Sequence, residues 1–428
     1  MKLLLKNGRV IDPGSKRNEI SDILIESGKI KRIGKNIRTK AKSIDIKGKI
    51  AAPGFIDLHT HLREPGGNSK ETIASGTTAA ARGGFTTVCA MPNTNPPVDS
   101  VSGVKYLMTT SAQEGKIRVL PIGAITKERK GEELTEIGKM TKIGIVAISD
   151  DGNSVMDSLV MRRAMEYSKI FNITVISHSE DLNLSKDGMM NEGIISTRMG
   201  LRGIPSQAEE VMVARDISLA ELAGSHLHLA HISSHRSVSM IKEAKRRKIK
   251  VTAEVTPHHL ILTEKDVLGY NTNCKVNPPL REEKDRKALI KGLKDGSIDC
   301  IATDHAPHLD QEKNNEFEIA PFGICGLETA FPVIFTELID NKLLDLANVI
   351  EKMTLNPSKV LKRDDLGRLT EGGNADLTVI DVKSQKTITN DFFLSKSKNS
   401  PFIGKKLKGF PSMTIYNGMI VWKDAEIL

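Results

Sequence analysis

The sequence predicts an α/β protein: a (β/α)8, TIM-like barrel carrying a small β-sandwich domain built from both chain ends. Three observations predict it. Eight short apolar runs alternate with helical patterns through the middle of the chain. Strand-and-turn segments of a different style occupy both ends. Most of the 11 histidines fall where the middle strands would end. The boundaries that follow are 1–52 with 363–428 for the composite β domain and 53–362 for the barrel. An open doubly wound sheet is the rival, and no G-x-G-x-x-G follows a strand to support it.

Taken in order, residues 1–52 read as short strands, Leu3-Leu4-Leu5, Ile23-Leu24-Ile25 and Ile30–Ile33, with Asn7-Gly8 and Ser27-Gly28 as hairpin turns. The barrel strands are expected at Gly54–His59, Thr86–Ala90, Ile117–Ile122, Gly144–Ser149, Ile173–His178, His226–His231, Lys250–Glu254 and Asp299–Thr303. Helices are expected over Thr72–Arg82, stopped by Gly83-Gly84, and over Leu159–Phe171. A third starts at a capping box, Ser206-Gln207-Ala208-Glu209, and is closed by Gly224. The strand style of the N-terminus returns in Asp376–Ile380 and Met413–Trp422.

The totals exclude several classes. A chain of 428 residues, 39% hydrophobic and 27% charged, buries a large core. No apolar run approaches the roughly 18 residues of a membrane span. The N-terminus lacks a signal-peptide pattern, so a cytoplasmic protein is expected. Four scattered cysteines without a C-x-x-C pair predict buried thiols rather than disulfides. The net charge of +9 is spread along the chain apart from Lys245-Arg246-Arg247-Lys248, at a helix end where cations suit the dipole. Aromatics make up 4%, too few for a base-stacking platform, so nucleic acid is not an expected partner.

The chemistry starts at Phe55-Ile56-Asp57-Leu58-His59-Thr60-His61-Leu62-Arg63-Glu64-Pro65-Gly66. Residues two apart on a strand point to one side, so His59 and His61 share a space that suits a zinc-like ion. Arg63 keeps the same parity if the strand continues, and Pro65-Gly66 ends it. A lone His-x-His is common. Here, however, His178, His231 (after His226 and His228) and Asp304 with His305 and His308 end other strands, on the face where barrels carry active sites. Ser149-Asp150-Asp151-Gly152 ends the fourth strand. Its carboxylates read either as turn formers or as a bridge between metal ions, and parity does not choose between them.

These stretches, together with Ala90-Met91-Pro92-Asn93-Thr94-Asn95-Pro96, Ser177–Asp181, His231-Ile232-Ser233-Ser234, Glu254–Leu260, Val276–Arg281, Thr303–His308 and Pro321-Phe322-Gly323, resemble the dihydroorotases of the amidohydrolase superfamily, of the bacterial type with an Asp-Asp-Gly segment. The resemblance spans essentially the whole chain. It implies a metal-dependent hydrolase barrel with one or two zinc ions held by His59, His61, Asp151, His178, His231 and Asp304. Asp151 takes the place where many relatives carry a carboxylated lysine. It implies Asp304 as the catalytic proton shuttle, and His61, Arg63, Asn93, Asn277, His308, Phe322 and Gly323 as the substrate site. His226, His228, His235, His258 and His259 are then structural or supporting. The implied activity is reversible cyclisation of N-carbamoyl-L-aspartate to L-dihydroorotate in pyrimidine synthesis. Alternatives are an allantoinase or hydantoinase, or an inactive dihydroorotase-like partner of aspartate carbamoyltransferase. A homodimer and a complex with that transferase are the assemblies left open. The polar segment 309–320 is expected to be a mobile lid.

Overall fold

In the computed structural model, which describes residues 2–424, the chain opens with five strands. These are β1 (Lys2–Asp12), β2 (Arg17–Glu26), β3 (Lys29–Gly34), β4 (Lys42–Asp45) and β5 (Ile50–Pro53). β1, β2 and β3 run antiparallel, and β1 pairs in parallel first with β4 and then with β5. Ser27 (φ 51°) and Gly28 (φ 79°) form the expected two-residue turn between β2 and β3. Asn7-Gly8 does not turn the chain. It lies inside β1, where the register slips between Leu5 and Gly8 and the Asn7 N–H leaves the ladder to donate to Asp22 Oδ1 at 2.9 Å. The positive φ of Asn7 serves a bulge that lets the two halves of β1 meet different neighbours. The actual turn is Pro13–Lys16, where the Lys16 N–H donates to Pro13 O.

β5 passes through Gly54 directly into the barrel. A Cβ at Gly54 would stand 2.1 Å from Thr86 Oγ1, so only glycine lets the two strands approach. The barrel strands are β6 (Phe55–Thr60), β7 (Phe85–Ala90), β8 (Arg118–Gly123), β9 (Ala147–Ile148) and β10 (Thr174–Ser177). After a small parallel pair, β11 (Met190–Asn191) and β12 (Gly203–Ile204), come β13 (Leu227–Leu229), β14 (Val251–Val255) and β15 (Cys300–Ile301). They run parallel in the order β15-β14-β13-β10-β9-β8-β7-β6. The ring is drawn shut by a bridge between Thr60 and His305 and by the buried Asp57, which accepts from the Thr303 N–H at 3.0 Å and from the Thr303 hydroxyl.

Helices cover the outside. Ile73–Arg82 is capped by Thr72, whose side chain accepts from the Ser75 N–H, and Ser158–Ile170 by Asp157. Gln207–Ala223 ends on left-handed Gly224 as expected, but its capping box does not form. Ser206 is already helical, and Glu209 is drawn away to accept from the backbone N–H groups of Ser233 and Ser234. Two buried donors at the end of β13 compete better for that carboxylate than a half-exposed helix terminus does.

The chain ends by adding β16 (Leu377–Thr387), β17 (Lys406–Tyr416) and β18 (Met419–Lys423) to the opening strands. β16 pairs antiparallel with β5, giving one sheet in the order β18-β17-β16-β5-β1-β2-β3 with β4 alongside β1. Its inner face closes on its own cluster, including Leu3, Ile23, Ile30, Leu377 and Met413. The four cysteines are free and buried, and no helix among the described residues is long and apolar enough to cross a membrane.

Candidate active site

The ends of the barrel strands bring together all six expected ligand side chains. Asp151 sits at their centre. Its Oδ1 lies 3.2 Å from His59 Nε2, 3.4 Å from His178 Nδ1 and 3.7 Å from His231 Nε2, and its Oδ2 lies 3.6 Å from His61 Nε2. Asp304 Oδ1 is 2.9 Å from His61 Nε2 and 3.5 Å from His59 Nε2. Two groups that could hold a metal ion result, His59-His61-Asp151 and Asp151-His178-His231, with Asp151 common to both. Asp150, the other carboxylate of that turn, is structural: it accepts from the N–H groups of Ile125 and Thr126 and from the Thr126 hydroxyl.

The donor set fits a metal ion. His59 Nε2 and Asp151 Oδ1 are buried, yet neither has a well-aligned hydrogen-bond partner among the described residues. Burial opposes charge on these groups, but Asp151 and Asp304 beside His59 hold that imidazole protonated well above the ordinary histidine range. Asp151 and Glu180 push His178 up to about 10. Asp151, despite burial, is held well below the carboxylate range by His59, His178 and His231. Carboxylates and imidazoles thus face one another closely enough to attract positive charge, a donor set that suits a cation. His231 (φ 32°) and Asp304 (φ 48°) also hold left-handed backbone, a conformation costly for residues with a side chain.

Two carboxylates to which sequence reading assigned no role orient these imidazoles. Glu254 accepts from His59 Nδ1 at 3.1 Å, and Glu180 Oε2 accepts from His178 Nε2 at 2.9 Å. Such outer carboxylates fix tautomer and ring orientation. Their signal was present, since Glu180 stands two residues after His178 and Glu254 precedes the end of a barrel strand. Asn93 Oδ1 takes the third such place, 2.8 Å from His61 Nδ1. Of the remaining histidines, His259 bridges Thr256 and Pro278 O, His235 pairs with Asp285, and His305 lies between Glu71 and the Gly326 N–H.

Above the ligands opens a cavity of about 350 Å³, and every expected substrate residue lines it: His61, Arg63, Asn93, Asn277, His308, Phe322 and Gly323. The strand stops at Thr60 rather than at Pro65-Gly66, so strand parity does not place Arg63. Its φ of 59° does, because the chain turns sharply after the two histidines. The guanidinium donates from Nε to Pro307 O at 3.2 Å and lies 3.2 Å from His308 Nε2. Among the described residues no carboxylate pairs with it. His308 is kept neutral, down to about 2, by burial and by the nearby charges of Arg63, Lys70 and Lys313. Asn277 Nδ2 donates to Glu180 at 2.9 Å, tying the cavity wall to His178.

Segment 309–320 is less polar in its contacts than in its composition. Phe317 and Ala320 are buried, and Lys313 Nζ donates to Pro321 O at 2.9 Å and Gly323 O at 3.1 Å. Lys275 Nζ donates to Phe317 O at 2.6 Å.

Comparison with known proteins agrees with this geometry. A Dihydro-orotase-like family model matches residues 48–237. A dihydroorotase of Endomicrobium trichonymphae is 52% identical over 99% of this chain and all of its own length. One from Pelotomaculum thermopropionicum is 50% identical over the full length of both. Among solved structures, an L-hydantoinase (dihydropyrimidinase) from Arthrobacter aurescens superposes with a TM-score of 0.90 at 25% identity, covering 100% of this chain and 97% of its own. A dihydropyrimidinase from Brevibacillus agri, 22% identical, shares the fold with a TM-score of 0.87, covering 99% and 95%. At about half identity from end to end, with the ligand cluster and the cavity both intact, this chain belongs to the dihydroorotase family.

Proposed function

We propose that the chain catalyses the reversible closure of N-carbamoyl-L-aspartate to L-dihydroorotate, using zinc. The observation that carries this reading is Arg63: a guanidinium without a carboxylate partner, facing the ligand cluster across one cavity. A cyclic amide bearing a carboxylate satisfies it, through the two-pronged pairing that arginine favours. A neutral cyclic amide leaves it unmatched.

His59, His61, Asp151, His178, His231 and Asp304 would hold one or two ions, and the sharing of Asp151 between two ligand groups favours two. When bound, zinc polarises the amide carbonyl and lowers the pKa of water from about 15.7 toward 7. Asp304 takes the proton from the attacking oxygen and returns it to the departing ring nitrogen; in cyclisation it works in reverse. Burial resists its charge, but His59 and His61 keep it ionised and thus ready to accept. Arg63, with Asn93 and His308, anchors the substrate carboxylate, while Asn277, Phe322 and Gly323 position the ring. Closing 309–320 over the cavity would exclude water. Assembly as a homodimer or with aspartate carbamoyltransferase is compatible with this reading and is read by light scattering with and without the transferase.

The test is a metal count on purified protein with dihydroorotate hydrolysis measured beside hydantoin and dihydrouracil. Two zinc ions per chain and strong preference for dihydroorotate are expected. Equal turnover of the neutral amides would reverse the assignment in favour of a hydantoinase. A metal-free, inactive protein that zinc does not rescue would leave a scaffold protein.

A further inference from the structure

A second cavity, of about 380 Å³, opens at the opposite mouth of the barrel, where β10, β13 and β14 begin. Its wall carries Lys169, Lys250, Lys362 and His226, and among the described residues no aspartate or glutamate lines it. Ser225, 2% exposed, lines it too, and its Oγ has no hydrogen-bond partner. Ile173, Ile249 and Val251 supply an apolar side. Like charges crowd here: the charge of Lys250 and the cavity's burial lower Lys362, and burial with His228, Lys362 and Lys250 drives His226 down to about 3.

From this cavity a line of polar side chains crosses a barrel interior otherwise filled by Ile56, Leu58, Leu120, Ile122, Ile176 and Cys300. His226 Nε2 lies 3.0 Å from Thr252 Oγ1, and His228 Nδ1 lies 2.9 Å from the same oxygen. His228 Nε2 reaches Glu254 Oε2 at 3.1 Å, and Glu254 Oε1 reaches the ligand His59 at 3.1 Å. Polar groups in a barrel core are costly unless every one is satisfied. The Thr174 hydroxyl donates to Val360 O, so it accepts from His226 Nδ1–H. Glu254 accepts from His59 Nδ1–H and His228 Nε2–H. The single Thr252 proton then serves one ring nitrogen at a time, His226 Nε2 or His228 Nδ1, so the line has two alternative hydrogen-bond arrangements.

We infer that the basal cavity is a binding site for a phosphate-bearing small anion, and that its occupancy is felt at His59 through the line His226-Thr252-His228-Glu254. The lysines and Ser225 meet the phosphate oxygens; the apolar side meets any organic part. An anion beside His226 favours the arrangement in which Thr252 donates to His226 Nε2, because that donation polarises the ring toward positive charge. His228 Nδ1 then lacks a donor, its Nε2–H donates less strongly to Glu254, Glu254 accepts more strongly from His59, and His59 becomes a better ligand.

The experiment titrates the metal-loaded protein with inorganic phosphate and, separately, with uridine monophosphate, by calorimetry. The same titrations use Lys250→Gln/Lys362→Gln, Thr252→Val and Arg63→Ala. Metal release to a chelator is timed with and without each probe. The basal site predicts binding that Arg63→Ala leaves in place and the double lysine variant weakens at least about tenfold. It also predicts metal release slowed by the probe in the parent and unaffected by it in Thr252→Val, which still binds. Tighter binding of the nucleotide than of phosphate identifies an organic phosphate; equal binding identifies phosphate itself. No binding, or binding lost with Arg63→Ala and kept in the lysine variant, overturns the site. Binding with unchanged metal release overturns the coupling. Because binding is read without turnover, these outcomes are independent of whether dihydroorotate is the substrate.

Discussion

Asp304 and Arg63 divide the proposed work, and each makes a distinct expectation. Asp304→Asn keeps the shape and a ligand oxygen but loses a base. Turnover should fall by about 10²–10⁴-fold, the usual contribution of a positioned acid–base group, with much of the metal retained by elemental analysis. Near-normal activity would remove Asp304 from the mechanism. Arg63→Ala deletes a charge-assisted contact to the substrate. Steady-state kinetics should show kcat/KM down by about 10- to 100-fold, mostly through KM, from the roughly 1.5–3 kcal/mol of such a bond. Five of the ligand candidates, His59, His61, His178, His231 and Asp304, were legible because they stand at the ends of apolar runs. The choice of Asp151 over Asp150 came from the family resemblance alone, because neighbouring carboxylates are equivalent until the Ile125–Thr126 backbone claims one of them.

At the scale of elements, segment 309–320 is anchored more firmly than its composition suggests. Its charged residues read as a mobile lid, and within it Lys313 is 3% exposed, its Nζ spanning two carbonyls of the cavity wall. Burial, with Lys275 nearby, lowers Lys313 from 10.5 to about 7. The folded protein thus gives up this proton near pH 7, while the unfolded chain holds it to about 10.5. The stability this contributes is complete above the unfolded value and is lost as pH falls toward 7. Thermal unfolding between pH 7 and 9 should rise in midpoint by more in the parent than in Lys313→Met; parallel curves would show that Lys313 does not titrate there. The Asn7-Gly8 and Ser206–Glu209 signals failed for a related reason. Both are local motifs, and each was outbid by a partner distant in sequence, Asp22 for one and Ser233-Ser234 for the other.

Over the whole molecule, the sheet and the barrel share a core. Ile11, Ile50, Ala52 and Ile380 pack into the same cluster as Phe55, Phe85 and Phe331, and Phe55 stacks on Phe331 with centroids 5.2 Å apart. We propose the division 53–362 against 1–52 with 363–428 as one of topology rather than of independent stability. Expressed alone, residues 53–362 should therefore lack a cooperative thermal transition by circular dichroism, because the outer face of β6 would be left uncovered. A sharp transition would make the barrel self-sufficient.

The sequence by itself determined the alternation of strands and helices and the pairing of the two chain ends, and it offered the metal-ligand candidates and the carboxylate hook. Each of these is written in local periodicity, in the residue type at a strand end or in the family resemblance. Only the tertiary structure decided that the Ile125–Thr126 backbone claims Asp150 while Asp151 faces both histidine groups, how Arg63 turns back over the cavity, and that Glu254 and Glu180 orient His59 and His178. It also revealed the polar line from His226 to His59. These depend on side chains up to 245 positions apart meeting at about 3 Å, a relation that closure of the barrel creates and that no local pattern in the chain encodes.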